Sequence, residues 1–117
     1  MAYYILDSNH NILLEPDVAK FGQWFSNNNN RVVAKDNFKD RHGNEVKVST
    51  MFLGIDHSFS QNRPPILFET MIFGGDFDQD TYRYSTWDEA VKGHKKALMK
   101  AHDEKDGALE IFTQDEV

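Results

Sequence analysis

Two runs, residues 45–55 (EVKVSTMFLGI) and 66–74 (ILFETMIFG), constrain this chain more than any other part of it. Both are rich in β-branched and aromatic residues and are flanked by Gly, Pro, Asp or Asn, the composition of strands between turns. The loop between them, residues 56–65 (DHSFSQNRPP), is expected to fold them back as an antiparallel pair. Side chains alternate along a strand, so such a pair sorts its residues onto two faces. The expected register puts Ile55 near Leu67, Leu53 near Glu69 and Phe52 near Thr70. One face then carries Val48, Thr50, Phe52, Phe68, Thr70 and Ile72, and the other Ser49, Met51, Leu53 and Glu69. Both faces are largely apolar, so both are expected to be covered, one by helices and one by a partner or a second subunit. A homodimer is accordingly one expected assembly.

Short elements surround this pair. Residues 3–6 (YYIL) and 12–15 (ILLE) flank the polar turn DSNHN and predict a small hairpin. Residues 16–27 predict a helix, with Pro16 at or near its first position, where a missing N–H costs nothing. Val18, Phe21 and Phe25 fall on one face of it and Trp24 flanks them. Residues 31–38 (RVVAKDNF) predict a strand that turns through KDRHGN into the run 45–55, and the acidic turn GDFDQD leads from the run 66–74 into a fourth strand, TYRYS. The last helix is the clearest element. Thr86 and Glu89 form the capping-box pattern T-x-x-E, and Trp87, Val91, His94, Leu98 and Ala101 follow at helical spacing. Lys92, Lys95, Lys96 and Lys100 lie mostly off that stripe, toward water. The expected fold class is α+β: one domain over residues 1–117, an antiparallel meander of about four strands with one helix before it and one after it. Residues 103–117 are expected to form a flexible acidic tail in which ALEIF adds a short edge strand.

Charge and composition bound the partners. A formal charge of -6 argues against direct nucleic-acid binding, which needs a basic face, and fits a basic partner surface instead. With 39% hydrophobic and 13% aromatic residues the chain can build a core. It has no cysteine, which removes disulfides and thiolate metal sites. No run approaches the roughly 18 apolar residues of a membrane helix, and the start MAYYILDSNHN lacks the basic and apolar regions of a signal peptide. The expected place of action is the cytoplasm, with no membrane partner.

Three polar features stand out among the apolar runs. Asp56 and His57 follow one another at a strand tip; neighbours in a strand diverge, so this pair reads as a turn-capping Asp beside a His unless the strand has already ended. Glu69 stands alone within ILFETMIF and requires either solvent or a partner such as Arg83, Lys47 or a ligand. His94 lies in the middle of the apolar stripe of the last helix, so its ring nitrogens must be bonded inside. Gly93 beside it permits close approach of a strand or ligand. DFDQD imitates the start of a calcium loop, but Thr81 replaces the required glycine and Trp87 the closing glutamate. No Walker, G-x-S-x-G or H-E-x-x-H pattern occurs, and the five histidines show no ligand spacing. No catalytic residue, metal or cofactor is assigned on this basis.

Taken together, the blocks VSTMFLGIDHSF (48–59), PPILFETMIFGGDFD (64–78) and RYSTWDEAVKGHKKAL (83–98) resemble a family of small, uncharacterised proteins encoded by phages and prophages. Trp24-Phe25 and RVVAKDNF match the start of the family pattern, so the resemblance spans residues 23–98, with KDRHGNE longer than the usual turn. It implies that Ser49, Thr50, Asp56, His57, Glu69, Thr70, Trp87 and His94 are the candidate binding residues. No activity comes with the family. The resulting expectation is a phage accessory protein that acts by binding in the host cytoplasm. It would inhibit a host protein, for instance one of a defence system, or sequester a signalling nucleotide. One alternative is a small hydrolase or transferase using Asp56, His57, Glu69 and His94. Another is a structural or DNA-mimicking protein, supported mainly by the acidic tail.

Overall fold

Local bonds from two aspartates set the hairpins from which the rest follows. Asp7 accepts hydrogen bonds from the backbone N–H of Asn9 and Asn11 and from the Asn11 side chain, at 2.8, 2.9 and 3.1 Å. Asp40 repeats the arrangement with His42 and Asn44, at 2.9, 2.8 and 3.1 Å. Both turns are written D-x-x-x-N, and in both the residue before the Asn is left-handed: His10 at φ 67° and Gly43 at φ 84°. The computed structural model describes residues 2–58 and 62–103.

In chain order the elements are β1 (Tyr4–Leu6), β2 (Ile12–Leu14), α1 (Val18–Ser26), a 3-10 turn at Asn28–Asn30, β3 (Val32–Lys39), β4 (Glu45–Phe52), β5 (Phe68–Phe73), β6 (Thr81–Tyr84) and α2 (Trp87–Asp103). β1 and β2 form a two-stranded sheet, while β3 to β6 form a four-stranded antiparallel sheet in sequence order. The fold is thus α+β, a meander with a helix on either side of it in the chain. The expected tail strand ALEIF lies outside the described residues. Among the described residues, no helix is long and apolar enough to cross a membrane.

Within the central pair, Phe52 stands opposite Phe68, Thr50 opposite Thr70 and Val48 opposite Ile72. The expected register, with Phe52 near Thr70, is therefore corrected by two residues. Left-handed Gly54 (φ 78°) lets the loop begin early, and Leu53 N–H still reaches the Leu67 carbonyl at 2.6 Å. A slip of two keeps the alternation, so the faces fall as expected. Val48, Thr50, Phe52, Phe68, Thr70 and Ile72 share one face, and all are wholly buried.

α2 lies across that face and touches all four strands. Its innermost residues are small: Ala90, Ala97 and Ala101, with His94 among them. Trp87, Val91 and Leu98 sit half-buried at the margins, so the buried stripe is narrower than the apolar spacing suggests and the helix comes close to the sheet. α1 does not share this layer. It packs on β1 and the end of the sheet, with Phe21 and Phe25 against Gly54 and Trp24 edge-on to Phe52 (5.6 Å, 88°). Asp17 caps it by accepting from Ala19 N–H and Lys20 N–H, which leaves Pro16 before the helix and Val18 61% exposed rather than on the packed face.

The core has two parts. Leu6, Phe52, Leu67, Phe68 and Ala90 gather Trp24, Tyr84 and Trp87 at one end; Val46, Val48, Ile72, Ala97 and Ala101 gather Phe38 and Tyr82 at the other. A bulge in β3 serves both. Val32 pairs with Met51 and Ala34 with Thr50, so Val33 is the extra residue, and it packs on the first cluster. Beyond it Ala34, Asp36 and Phe38 pair with Thr50, Val48 and Val46, whose side chains face α2. The far face carries Lys47, Ser49, Met51, Glu69, Met71 and Phe73, of which Phe73 is 40% exposed.

Candidate functional site

His94 is 4% exposed, and both ring nitrogens are bonded. Nε2 lies 2.7 Å from Asp36 Oδ2 on β3, and Nδ1 lies 2.7 Å from Thr50 Oγ1 on β4. Thr50 Oγ1 is 2.5 Å from Thr70 Oγ1 on β5. Tyr84 of β6 lies next along the sheet, where burial raises the pKa of its phenol. One polar string thus links β3, β4 and β5 beneath α2, from half-exposed Asp36 to Thr70. It fills the gap between the two apolar clusters. No buried side-chain polar atom among the described residues lacks a partner.

Asp36, His94 and Thr50 are ordered like an acid–base–nucleophile triad, but Thr50 is 0% exposed and its oxygen is engaged on both sides. No substrate reaches it. The string is a packed network that reaches the surface of the protein at Asp36.

The other sequence-derived candidates lie elsewhere. Asp56 caps its own loop, accepting from Ser58 N–H, Ser58 Oγ and Ile66 N–H at 2.8 to 2.9 Å. The Ser58 and Ile66 backbone bonds hold its carboxyl below the ordinary 3.8. His57 N–H extends the same loop by donating to the Ile66 carbonyl at 3.0 Å. Glu69 pairs with Arg83 at 3.0 Å on the far face of the sheet, where Ser49 also lies. Trp87 stacks on His10 of the β1–β2 turn, 3.7 Å between ring centres and 6° from parallel, which pins that hairpin to the start of α2. The structure therefore brings Thr50, Thr70 and His94 together and leaves Ser49, Asp56, His57, Glu69 and Trp87 apart from them. A general base must stand within about 3 Å of the proton it takes, so this set cannot serve one reacting atom.

Beside Tyr84 a groove of about 400 Å³ opens between β6 and α2. Its floor is Ile66, the Tyr84 ring and Gly93. A Cβ on Gly93 would lie 2.2 Å from Tyr84 Cζ and Oη, so only glycine lets the ring lie there. Lys92 and Lys96 bring two cations to the walls; Arg83 also lines the groove, but its guanidinium is paired with Glu69. The single carboxylate, Glu89, is turned to the helix cap, where its Oε1 accepts from Ser85 N–H and Thr86 N–H at 3.1 Å. Arg83 gives Nε to Glu69; Lys92 and Lys96 are in no ion pair among the described residues. An apolar, aromatic floor under uncompensated cations suits an anion with a flat hydrophobic part. Among the described residues, no group of three or more His, Asp or Glu is placed to hold a metal ion. From sequence, Lys92 and Lys96 read as a solvated helix face; Gly93 alone signalled the close approach that turns that face into a wall. The chain matches no family model, no curated protein and no solved structure.

Proposed function

We propose that this chain is a small phage-encoded accessory protein that acts by binding, and that its ligand is a nucleotide-class anion held between β6 and α2. The motif resemblance supplies the phage context. One observation carries the ligand class: Lys92 and Lys96 flank the Tyr84 floor outside any ion pair among the described residues, and the carboxylate lining the groove, Glu89, is already engaged at the helix cap, in a chain of net charge -6. A local basic site in an acidic molecule focuses small anions while repelling long polyanions. The volume suits a mononucleotide-sized group. Sequestering a signalling nucleotide is the corresponding role in an infected cell.

The test is a thermal-shift and equilibrium-dialysis screen of mono- and dinucleotides against the native chain and the Lys92→Glu/Lys96→Glu variant. Ligand at about 100 times its Kd raises stability by about 2.7 kcal/mol, which a melting curve reads easily. The native chain is expected to respond and the variant not to. A native chain that responds to no nucleotide would sink the reading. A second reading, a host protein docked on the far sheet face, is favoured by exposed Phe73 beside half-buried Met51 and Met71. Phe73→Glu would abolish phage protection in a defended host under that reading, and leave it intact under the first.

A further inference from the structure

β3 is an edge of the four-stranded sheet, and among the described residues no strand pairs with its outer side. Backbone bonding alternates along an antiparallel pair. Asp40 N–H reaches the Asn44 carbonyl at 2.9 Å, so two and four residues back Phe38 and Asp36 also turn their backbone groups inward to β4. Lys35, Asn37 and Lys39 turn theirs outward, a row of N–H and C=O groups along about 14 Å of edge. Such a row is a template for one more strand. The side chains of the same three residues lie on the far face, opposite Ser49, Lys47 and Glu45. Lys35 and Lys39 are exposed and in no ion pair among the described residues, and Glu45 forms none across the hairpin.

The chain that follows α2 has the place, length and charge to fill that edge. His102, in the last turn of α2, stacks on Phe38 at 3.6 Å between ring centres, so the chain leaves the helix at the Lys39 end of β3. Residues 104–117 follow, about 46 Å if extended, against about 14 Å of edge. A chain that turns back there through DEKDG runs opposite to β3. Five of the six net negative charges of the molecule lie in residues 103–117. In an extended ALEIF, Leu109 and Ile111 fall on one side and Glu110 on the other. We infer that residues 108–112 of the same chain add to β3 as a fifth, antiparallel strand, with Leu109 and Ile111 on the α2 side and Glu110 on the far side near Lys35 and Lys39. Opposite charges on neighbouring strands favour that choice of face. The strand would cover the longer edge of the sheet and deny it to the strand of another molecule.

The chain has no cysteine, so paired substitutions report this placement without background. In the full chain, Asn37→Cys is combined in turn with Ala108→Cys, Leu109→Cys, Glu110→Cys, Ile111→Cys and Phe112→Cys. Bridging in a glutathione buffer is read by mass spectrometry and non-reducing gel. A disulfide needs Cα atoms within about 7 Å and converging side chains, and alternation puts only 108, 110 and 112 on the side of Asn37. The expected result is a bridge within one chain, about tenfold or more favoured at one of those three over 109 and 111, beyond what a linker's mM effective concentration supplies. Equal bridging at all five positions is what a tether at Asp103 alone would give, and it overturns the inference, as does no bridging. A bridge between two chains overturns the same-chain assignment and gives the edge to a second copy. If the cysteine variants do not fold, amide exchange decides. The N–H groups of Lys35, Asn37 and Lys39 should exchange about tenfold or more slowly in the native chain than in Glu110→Pro, which removes a ladder donor outside the described fold. Equal exchange in the two chains overturns the inference.

Discussion

The missing side chain at Gly93 does more for this molecule than most side chains present. Alanine is favoured over glycine in a helix by about 1 kcal/mol, so helix propensity alone makes Gly93→Ala stabilising. Here the added methyl would collide with the Tyr84 ring, 2.2 Å from Cζ. The expected outcome is a net loss of about 1–3 kcal/mol in denaturant unfolding, as in other overpacked sites. Tyr84→Ala should cancel most of that collision in the double variant. Thr50→Val tests the string beneath: it leaves His94 Nδ1 without its partner inside the core, for an expected loss of about 1–3 kcal/mol. At this scale the sequence was half legible. A histidine in an apolar stripe demands partners, and Thr50 and Thr70 sit at alternating positions that foretell their shared face. Asp36 was hidden, since a carboxylate in RVVAKDNF reads as an exposed strand residue and stands 58 positions from His94. Pairing over that distance is set by how α2 lies on the sheet, which no local pattern encodes.

At the scale of elements, local chemistry carried most of the prediction. Thr86 Oγ1 accepts from Glu89 N–H at 3.1 Å while Glu89 answers the N–H of Thr86, the reciprocal cap that T-x-x-E announces. The β4–β5 register was less readable, because nothing in DHSFSQNRPP reveals that Leu53 and Leu67 still pair beyond the regular strands. The far end of α2 is tied to the β5–β6 turn by Lys100, which donates to Tyr82 Oη at 2.6 Å and Asp80 Oδ2 at 2.9 Å. The bond from Lys100 holds the Asp80 carboxyl below its ordinary 3.8. The bonds to Tyr82 and then Asp80 hold Lys100 above 10.5. A depressed acid stabilises the fold above its unfolded value and loses that effect as pH falls through the folded one. A raised base stabilises below its unfolded value and loses the effect as pH climbs through the folded one. Lys100→Met should therefore lower the urea midpoint across about pH 4 to 10, with the difference from the native chain closing at both extremes.

For the molecule as a whole, the division of the core matters most. Phe52 and Ile72 belong to different clusters, with the Thr50–Thr70–His94 string between them. Phe52→Ala is expected to cost about 3–5 kcal/mol and Ile72→Ala about 2–5. Their effects should add to within about 0.5 kcal/mol in a double-mutant cycle, as for sites without shared partners. A larger coupling would show that the two clusters behave as one. The meander and its helix-covered face were legible from alternation, whereas the place of α1 was not: its Phe21 and Trp24 suit a sheet face as well as the sheet end that they occupy.

The extra residue at Val33 gives the chain an intolerance of a particular kind. Upstream, Arg31 is fixed by its carbonyl on Phe52 N–H at 2.7 Å and by its guanidinium over the Phe25 ring at 4.0 Å. Downstream, Asp36 is fixed on His94. A chain one residue shorter between these anchors keeps one of them and gives up the other, whichever amino acid is removed. Drift in this protein should therefore change the letters of the stretch from Arg31 to Asp36 but not its count.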